Sequence, residues 1–170
     1  MEQVYRRSLG NLLNELISVE EELSDLYLRL GGIIDEPCAK LTFMVIGEDS
    51  TRHAEYLKLV KDSLVNAGYV EGLETYSAGY MVSRVREIKA RILSSRGVSL
   101  KSMANALNDL EEAERMALNM YLLISKNYRL HSPSSSANSC IINGALLVIN
   151  GIINDEEKHE SLLKNLISHQ

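Results

Sequence analysis

Apolar residues return at alternating steps of four and three along most of this chain, as in Leu9, Leu13, Leu16, Leu23 and Leu30. That period brings side chains to one face of an α-helix. Four long helices are predicted. The first spans about Gln3 to Leu30 and is expected to stop at Gly31-Gly32, because glycine readily takes the left-handed conformation that closes a helix. The second begins near Asp35 or Pro37, an acidic residue and an early proline suiting a helix N-terminus, and ends by Gly68. The third covers about Ser99 to Arg129, and the fourth fills the remainder from about Cys140. Between them, His131 to Ser139 holds Pro133 and five serines and reads as a surface loop.

Tight joints make the first and second helices an antiparallel pair, and the third and fourth another. About thirty residues, Tyr69 to Val98, separate the two pairs, with Met81, Val85, Ile88 and Ile92 again at helical spacing. A connection that long can run the length of a bundle, so the second and third helices are expected to be parallel. The fold class is all-α: a single domain over residues 1–170, a four-helix bundle with one long helical crossover between its second and third helices.

Composition narrows the picture further. The chain of 170 residues is 45% hydrophobic and 24% charged, with two prolines, no tryptophan and one phenylalanine. That balance excludes wholesale disorder and suits helices far better than strands. The longest apolar runs, Phe43 to Ile46 and Ala145 to Ile149, are far below the roughly 20 residues of a spanning helix, so no membrane partner is expected. The N-terminus lacks the layout of an export signal, which points to the cytoplasm and to reduced thiols at Cys38 and Cys140. Those cysteines precede helices that start at opposite ends of the expected bundle, so no disulfide is expected between them.

Net charge is −5 and unevenly spread: Met81 to Lys101 carries six Lys/Arg (Arg84, Arg86, Lys89, Arg91, Arg96, Lys101) against Glu87 alone. Such a strip attracts phosphate or nucleic acid in some proteins. Here no aromatic residues interleave with the charges, and a solvated helix face is the favoured reading over nucleic-acid binding.

The two halves of the chain repeat each other. In the first helix the stripe reads Leu9, Leu13, Leu16, Glu20, Leu23, Tyr27, Leu30; a shift of 94 gives Met103, Leu107, Leu110, Glu114, Ala117, Tyr121, Ile124 in the third. In the second it reads Phe43, Ile46, Ser50, His53, Leu57, Val60; a shift of 106 gives Ile149, Ile152, Glu156, His159, Leu163, Leu166 in the fourth. The strings Asp49-Ser-Thr-Arg-His53 and Asp155-Glu-Glu-Lys-His159 agree at the aspartate, the basic residue and the histidine.

Glu20, Glu114, Glu156, His53 and His159 thus stand at core positions, where an unpaired carboxylate costs several kcal/mol. Three carboxylates and two imidazoles cannot neutralise one another, and one or two divalent cations would supply the missing charge. Glu156 and His159, at i and i+3, face the same point across a bundle. His131 and His169 fall in a loop and at a chain end, and are not candidate ligands.

This pattern of Glu, His, Glu and Glu-x-x-His on successive helices resembles the ferritin-like superfamily, in particular its rubrerythrin-like di-metal carboxylate proteins. The resemblance covers the whole chain as architecture, with its motifs confined to four short segments. It implies that Glu20 and His53 hold one metal, Glu114 and His159 the other, and that Glu156 bridges them. Glu111 resembles the extra glutamate of rubrerythrins, and Tyr27 and Tyr121 resemble tyrosines that hydrogen-bond the ligands. The implied cofactor is iron, as two ions or one, with manganese or zinc able to compete. The implied chemistry is peroxide or dioxygen reduction, or iron oxidation. No Cys-x-x-Cys pair is present, so a rubredoxin-type relay is absent and electrons would come from a separate partner; a homodimer is the expected assembly.

One position departs from the family pattern. Ser50 stands where a second bridging glutamate is expected, and Asp49 is one residue off that face. The expected consequences are unequal metals, a solvent ligand in the gap, or a single ion. The competing class is a non-catalytic bundle whose metal site is degenerate.

Overall fold

A computed structural model of the chain describes residues 5–67, 72–75, 80–94, 104–130 and 136–168. Met103, Arg96, Lys101, His131 and His169, all weighed in the sequence, lie outside the described residues. Five α-helices carry the described chain: α1 Leu9–Ile33, α2 Pro37–Asn66, α3 Tyr80–Ser94, α4 Ala104–Leu130 and α5 Ser136–Ser168. The fold is all-α apart from one short antiparallel pair, β1 Tyr5–Ser8 with β2 Gly72–Thr75, in the register Tyr5 to Thr75 and Ser8 to Gly72.

Several predicted boundaries shift for identifiable reasons. The first helix starts at Leu9 and not at Gln3, because Tyr5–Ser8 takes backbone partners on the strand Gly72–Thr75. Gly31 and Gly32 do not end α1, which runs on to Ile33. Gly31 instead lets α2 approach: a Cβ there would stand 2.8 Å from Met44 Sδ. The start of α2 matches the prediction, with Pro37 in the first turn and the Glu36 side chain accepting the Cys38 and Ala39 amides. The fourth helix begins at Ser136, so the serine-rich run supplies its first turn.

Side-chain pairs fix the helix directions. Between α1 and α2, Asn14 meets Lys61, Glu21 meets Lys58 and Ser24 meets Thr51. Between α4 and α5, Glu111 meets Lys164 and Ser125 meets Asn150. Between α2 and α5, Asp49 meets His159 and His53 meets Asp155. In each pair one number rises as the other falls, so the partners are antiparallel and α2 therefore runs parallel to α4. The predicted crossover segment contains α3, whose Met81, Val85, Ile88 and Ile92 are all buried.

The polar face of α3 is tied to its neighbours. Lys89 bridges Glu22 and Asp25 on α1 at 2.7 and 2.6 Å, Arg86 joins Glu22 at 2.7 Å, and Arg84 and Arg91 share Asp109 on α4. Hydrogen bonds from Lys89 and Arg86 hold the Glu22 carboxyl below its ordinary pKa. Arg84, Arg86, Lys89 and Arg91 of the basic strip thus form a clamp that seats α3 across α1 and α4. Cys38 and Cys140 are exposed free thiols, and among the described residues no helix is long and apolar enough to cross a membrane.

The α1 and α2 backbones approach closely at Gly47, where a Cβ would meet Leu28 Cγ at 2.8 Å and the Leu28 amide nitrogen at 3.1 Å. Alanine is the better helix former by about 1 kcal/mol, yet here it must push α1 away. Gly47→Ala is expected to destabilise the protein by about 1–3 kcal/mol, the usual cost of overpacking. Thermal denaturation checks this, and an unchanged or raised melting temperature would contradict it.

Candidate metal centre

Each helix of the α1, α2, α4, α5 set carries its polar interruption to the middle of the core. Glu20 comes from α1, His53 from α2, Glu114 from α4, and Glu156 with His159 from α5. All five are buried, none more than 2% exposed. The turn of helix from Glu156 to His159 places both on one face, and their atoms approach to 3.7 Å.

The five residues resolve into two triads, Glu20, His53 and Glu156, and Glu114, His159 and Glu156. Glu156 belongs to both. In the first, His53 Nδ1 is 3.0 Å from Glu156 Oε1 and 3.6 Å from Glu20 Oε2. In the second, His159 Nδ1 is 3.4 Å from Glu114 Oε2 and 3.7 Å from Glu156 Oε1. The two imidazole rings lie 5.8 Å apart, centroid to centroid.

Ten buried side-chain atoms lack a hydrogen-bond partner among the described residues, and all ten belong to Glu20, Tyr27, Ser50, His53, Glu114, Glu156 and His159. Buried polar groups are ordinarily paired, and leaving them unpaired costs about 1–3 kcal/mol each. Here the atoms of Glu20, Glu114 and Glu156 lie 3.0–3.7 Å from Nδ1 of His53 or His159 without closing hydrogen bonds. Two ligands of one ion with bonds near 2.1 Å lie about 3.0–3.4 Å apart; the 3.0 and 3.4 Å contacts fall in that range, and the 3.6 and 3.7 Å contacts lie just outside it. The donor set, carboxylate oxygen and imidazole nitrogen, suits iron(II), manganese(II) or zinc. The residues therefore fit a pair of divalent ions.

Electrostatics agree with that fit. Burial pushes the Glu156 carboxyl well above its ordinary pKa, with the charges of Glu114 and Glu20 adding to the shift. Burial also opposes ionisation of Glu114, but the His159 imidazole, 3.4 Å away, holds it below the ordinary value. Tyr121 and Tyr27 are raised well above theirs by burial and by the nearby carboxylates, so both hydroxyls keep their protons.

The outer contacts cross between the halves. Tyr121 of α4 donates to Glu20 Oε1 of α1, while Tyr27 of α1 faces Glu114 of α4 without closing a well-formed bond. Asp49 Oδ2 of α2 lies 3.3 Å from His159 Nε2, and Asp155 Oδ2 of α5 lies 3.6 Å from His53 Nε2. Each aspartate also pairs with the basic residue three positions on, Arg52 or Lys158. A carboxylate at Nε2 favours the tautomer that leaves Nδ1 free to bind a cation.

Of the residues singled out from sequence, Glu20, His53, Glu114, Glu156 and His159 come together, with Tyr27 and Tyr121 beside them; Ser50 is buried on α2, one turn before His53. Glu111 does not join them; its carboxylate pairs with Lys164 at 3.7 Å and is part-exposed. Asp49 and Asp155 stand outside the ligand pattern of the sequence, and their contacts with the imidazoles arise only in the fold. The repeated aspartate four residues before each histidine was the available signal, but its partner lies in the other half. Comparison with known proteins yields no family model, no curated protein and no solved structure that matches this chain.

A pH dependence follows from Glu156. Its folded pKa is raised, so between the ordinary glutamic acid value of about 4.3 and the raised value the folded state holds a proton that the unfolded state has lost. Stability of the ion-free protein should therefore fall as pH rises through that window. Melting curves of wild type minus those of Glu156→Gln isolate the group; a flat difference from pH 4 to 8 would contradict the assignment.

Proposed function

We propose that this chain is a ferritin-like, rubrerythrin-like carboxylate protein, a four-helix bundle with a helical crossover, that holds two divalent ions and acts as an oxidoreductase on peroxide, dioxygen or iron(II) itself. The observation that carries the reading is the pair of buried donor triads sharing Glu156, most of whose polar atoms have no hydrogen-bond partner among the described residues. Glu20 and His53 would hold one ion, Glu114 and His159 the other, and Glu156 both. Iron(II) at these positions would supply the electrons that reduce peroxide or dioxygen.

The chain's own groups do the rest. Burial of all five ligands excludes bulk water and strengthens every charge interaction in the centre. Tyr121 fixes the Glu20 carboxylate with its hydroxyl proton, and Asp49 and Asp155 orient the imidazoles. A donor outside the bundle would return the electrons. The test is anaerobic loading with iron(II) followed by hydrogen peroxide, read by absorbance. Oxidation in proportion to bound iron supports the reading, and iron that binds but stays ferrous overturns the redox part of it.

A second reading rests on Ser50, which removes one bridging carboxylate. In it the centre is mononuclear or structural and the protein is a non-catalytic bundle. One ion per chain, without turnover, is the result that selects it.

A further inference from the structure

We infer that the position of Ser50 is the seat of a small exogenous carboxylate, formate or acetate in class, that joins the two ions where α2 fails to supply a glutamate. The inference rests on the two-ion reading and adds to it a ligand that the chain does not contain.

The internal repeat places Ser50 at the counterpart of Glu156, one turn before His53 as Glu156 is before His159. The equivalence holds in space as well, because the Tyr–Glu and Asp–His contacts cross between halves in matching ways. Glu156 reaches both triads from α5; from α2 the same position offers only a hydroxyl. Ser50 is fully buried, and its Oγ has no hydrogen-bond partner. A serine side chain is shorter than a glutamate by about the size of a formate ion, and its hydroxyl can donate to a carboxylate lying beyond it.

Charge gives the second argument. Glu20, Glu114 and Glu156 supply three negative charges, Asp49 and Asp155 are offset by Arg52 and Lys158, and neutral histidines add none, so two divalent cations leave one positive charge in a buried centre. A monoanion closes that balance, whereas a neutral water fills the space without closing it.

The test uses the full chain and manganese(II), titrated in chloride buffer with and without formate, acetate or bicarbonate. Affinity for the second ion should tighten about tenfold with formate or acetate, and by reciprocity isotope-labelled formate should bind only the loaded protein. Bicarbonate, tested separately, shows whether the seat also accepts that anion. Ser50→Glu should bind both ions in chloride as tightly as wild type does in formate, with no anion response. Ser50→Ala should bind manganese with a weakened response. Manganese affinity indifferent to all three anions in wild type overturns the seat and leaves the two-ion reading standing; no manganese binding in any buffer overturns both.

Discussion

Glu156→Gln is expected to weaken uptake of both ions by more than about 100-fold, since even neighbours of a ligand are worth 10–100-fold in metal affinity and Glu156 is common to both triads that could hold an ion. The same substitution is expected to make the ion-free protein more stable. Whether the buried carboxyl is ionised among Glu114 and Glu20 or kept protonated at neutral pH, folding works against it, and glutamine keeps the shape without the charge. A gain of about 1–4 kcal/mol would raise the melting temperature by several degrees in a chain of this size. The opposite signs are the diagnostic feature. General damage to the fold lowers stability with and without metal, whereas loss of a ligand lowers it only with metal. A lowered melting temperature in the ion-free variant, with metal uptake intact, would contradict the role given to this residue.

The second large effect is selective. His53 belongs to one triad and His159 to the other, so His53→Ala and His159→Ala should each remove one ion and leave the other bound through the remaining three ligands. The double variant should bind none. Metal counting on the three proteins reads the outcome directly, and loss of both ions from either single variant would mean that the two positions act as one site. His159 carries the shorter contact to its outer aspartate, 3.3 Å against 3.6 Å for His53. The ion left in His53→Ala is accordingly expected to bind more tightly than the ion left in His159→Ala.

Much of this centre was legible because its residues violate the pattern around them. Glu20 and Glu114 interrupt otherwise apolar stripes at matching places, as do His53 and His159, and a polar residue at a core position demands an explanation that a surface residue does not. The helical spacing of Met81, Val85, Ile88 and Ile92 likewise disclosed the crossover helix. What escaped the sequence depends on contacts between distant segments. Tyr5–Ser8 is a strand because Gly72–Thr75 lies beside it, not because its own four residues require it. Gly31 looked like a helix terminator and is instead a point of close approach to Met44. The crossed pairing of Asp49 with His159 and Asp155 with His53 follows from the antiparallel packing of α2 on α5, and the basic strip became a clamp only once Glu22, Asp25 and Asp109 were placed opposite it.

Metal content after anaerobic reconstitution, combined with X-ray absorption at the edge of the bound metal, tests the central claim most directly. The account predicts about two ions per chain in a mixed nitrogen and oxygen environment, a neighbouring metal within about 4 Å, and loss of that signal in Glu156→Gln. Less than about a tenth of an ion per chain, or ions bound equally well by Glu156→Gln, would contradict it.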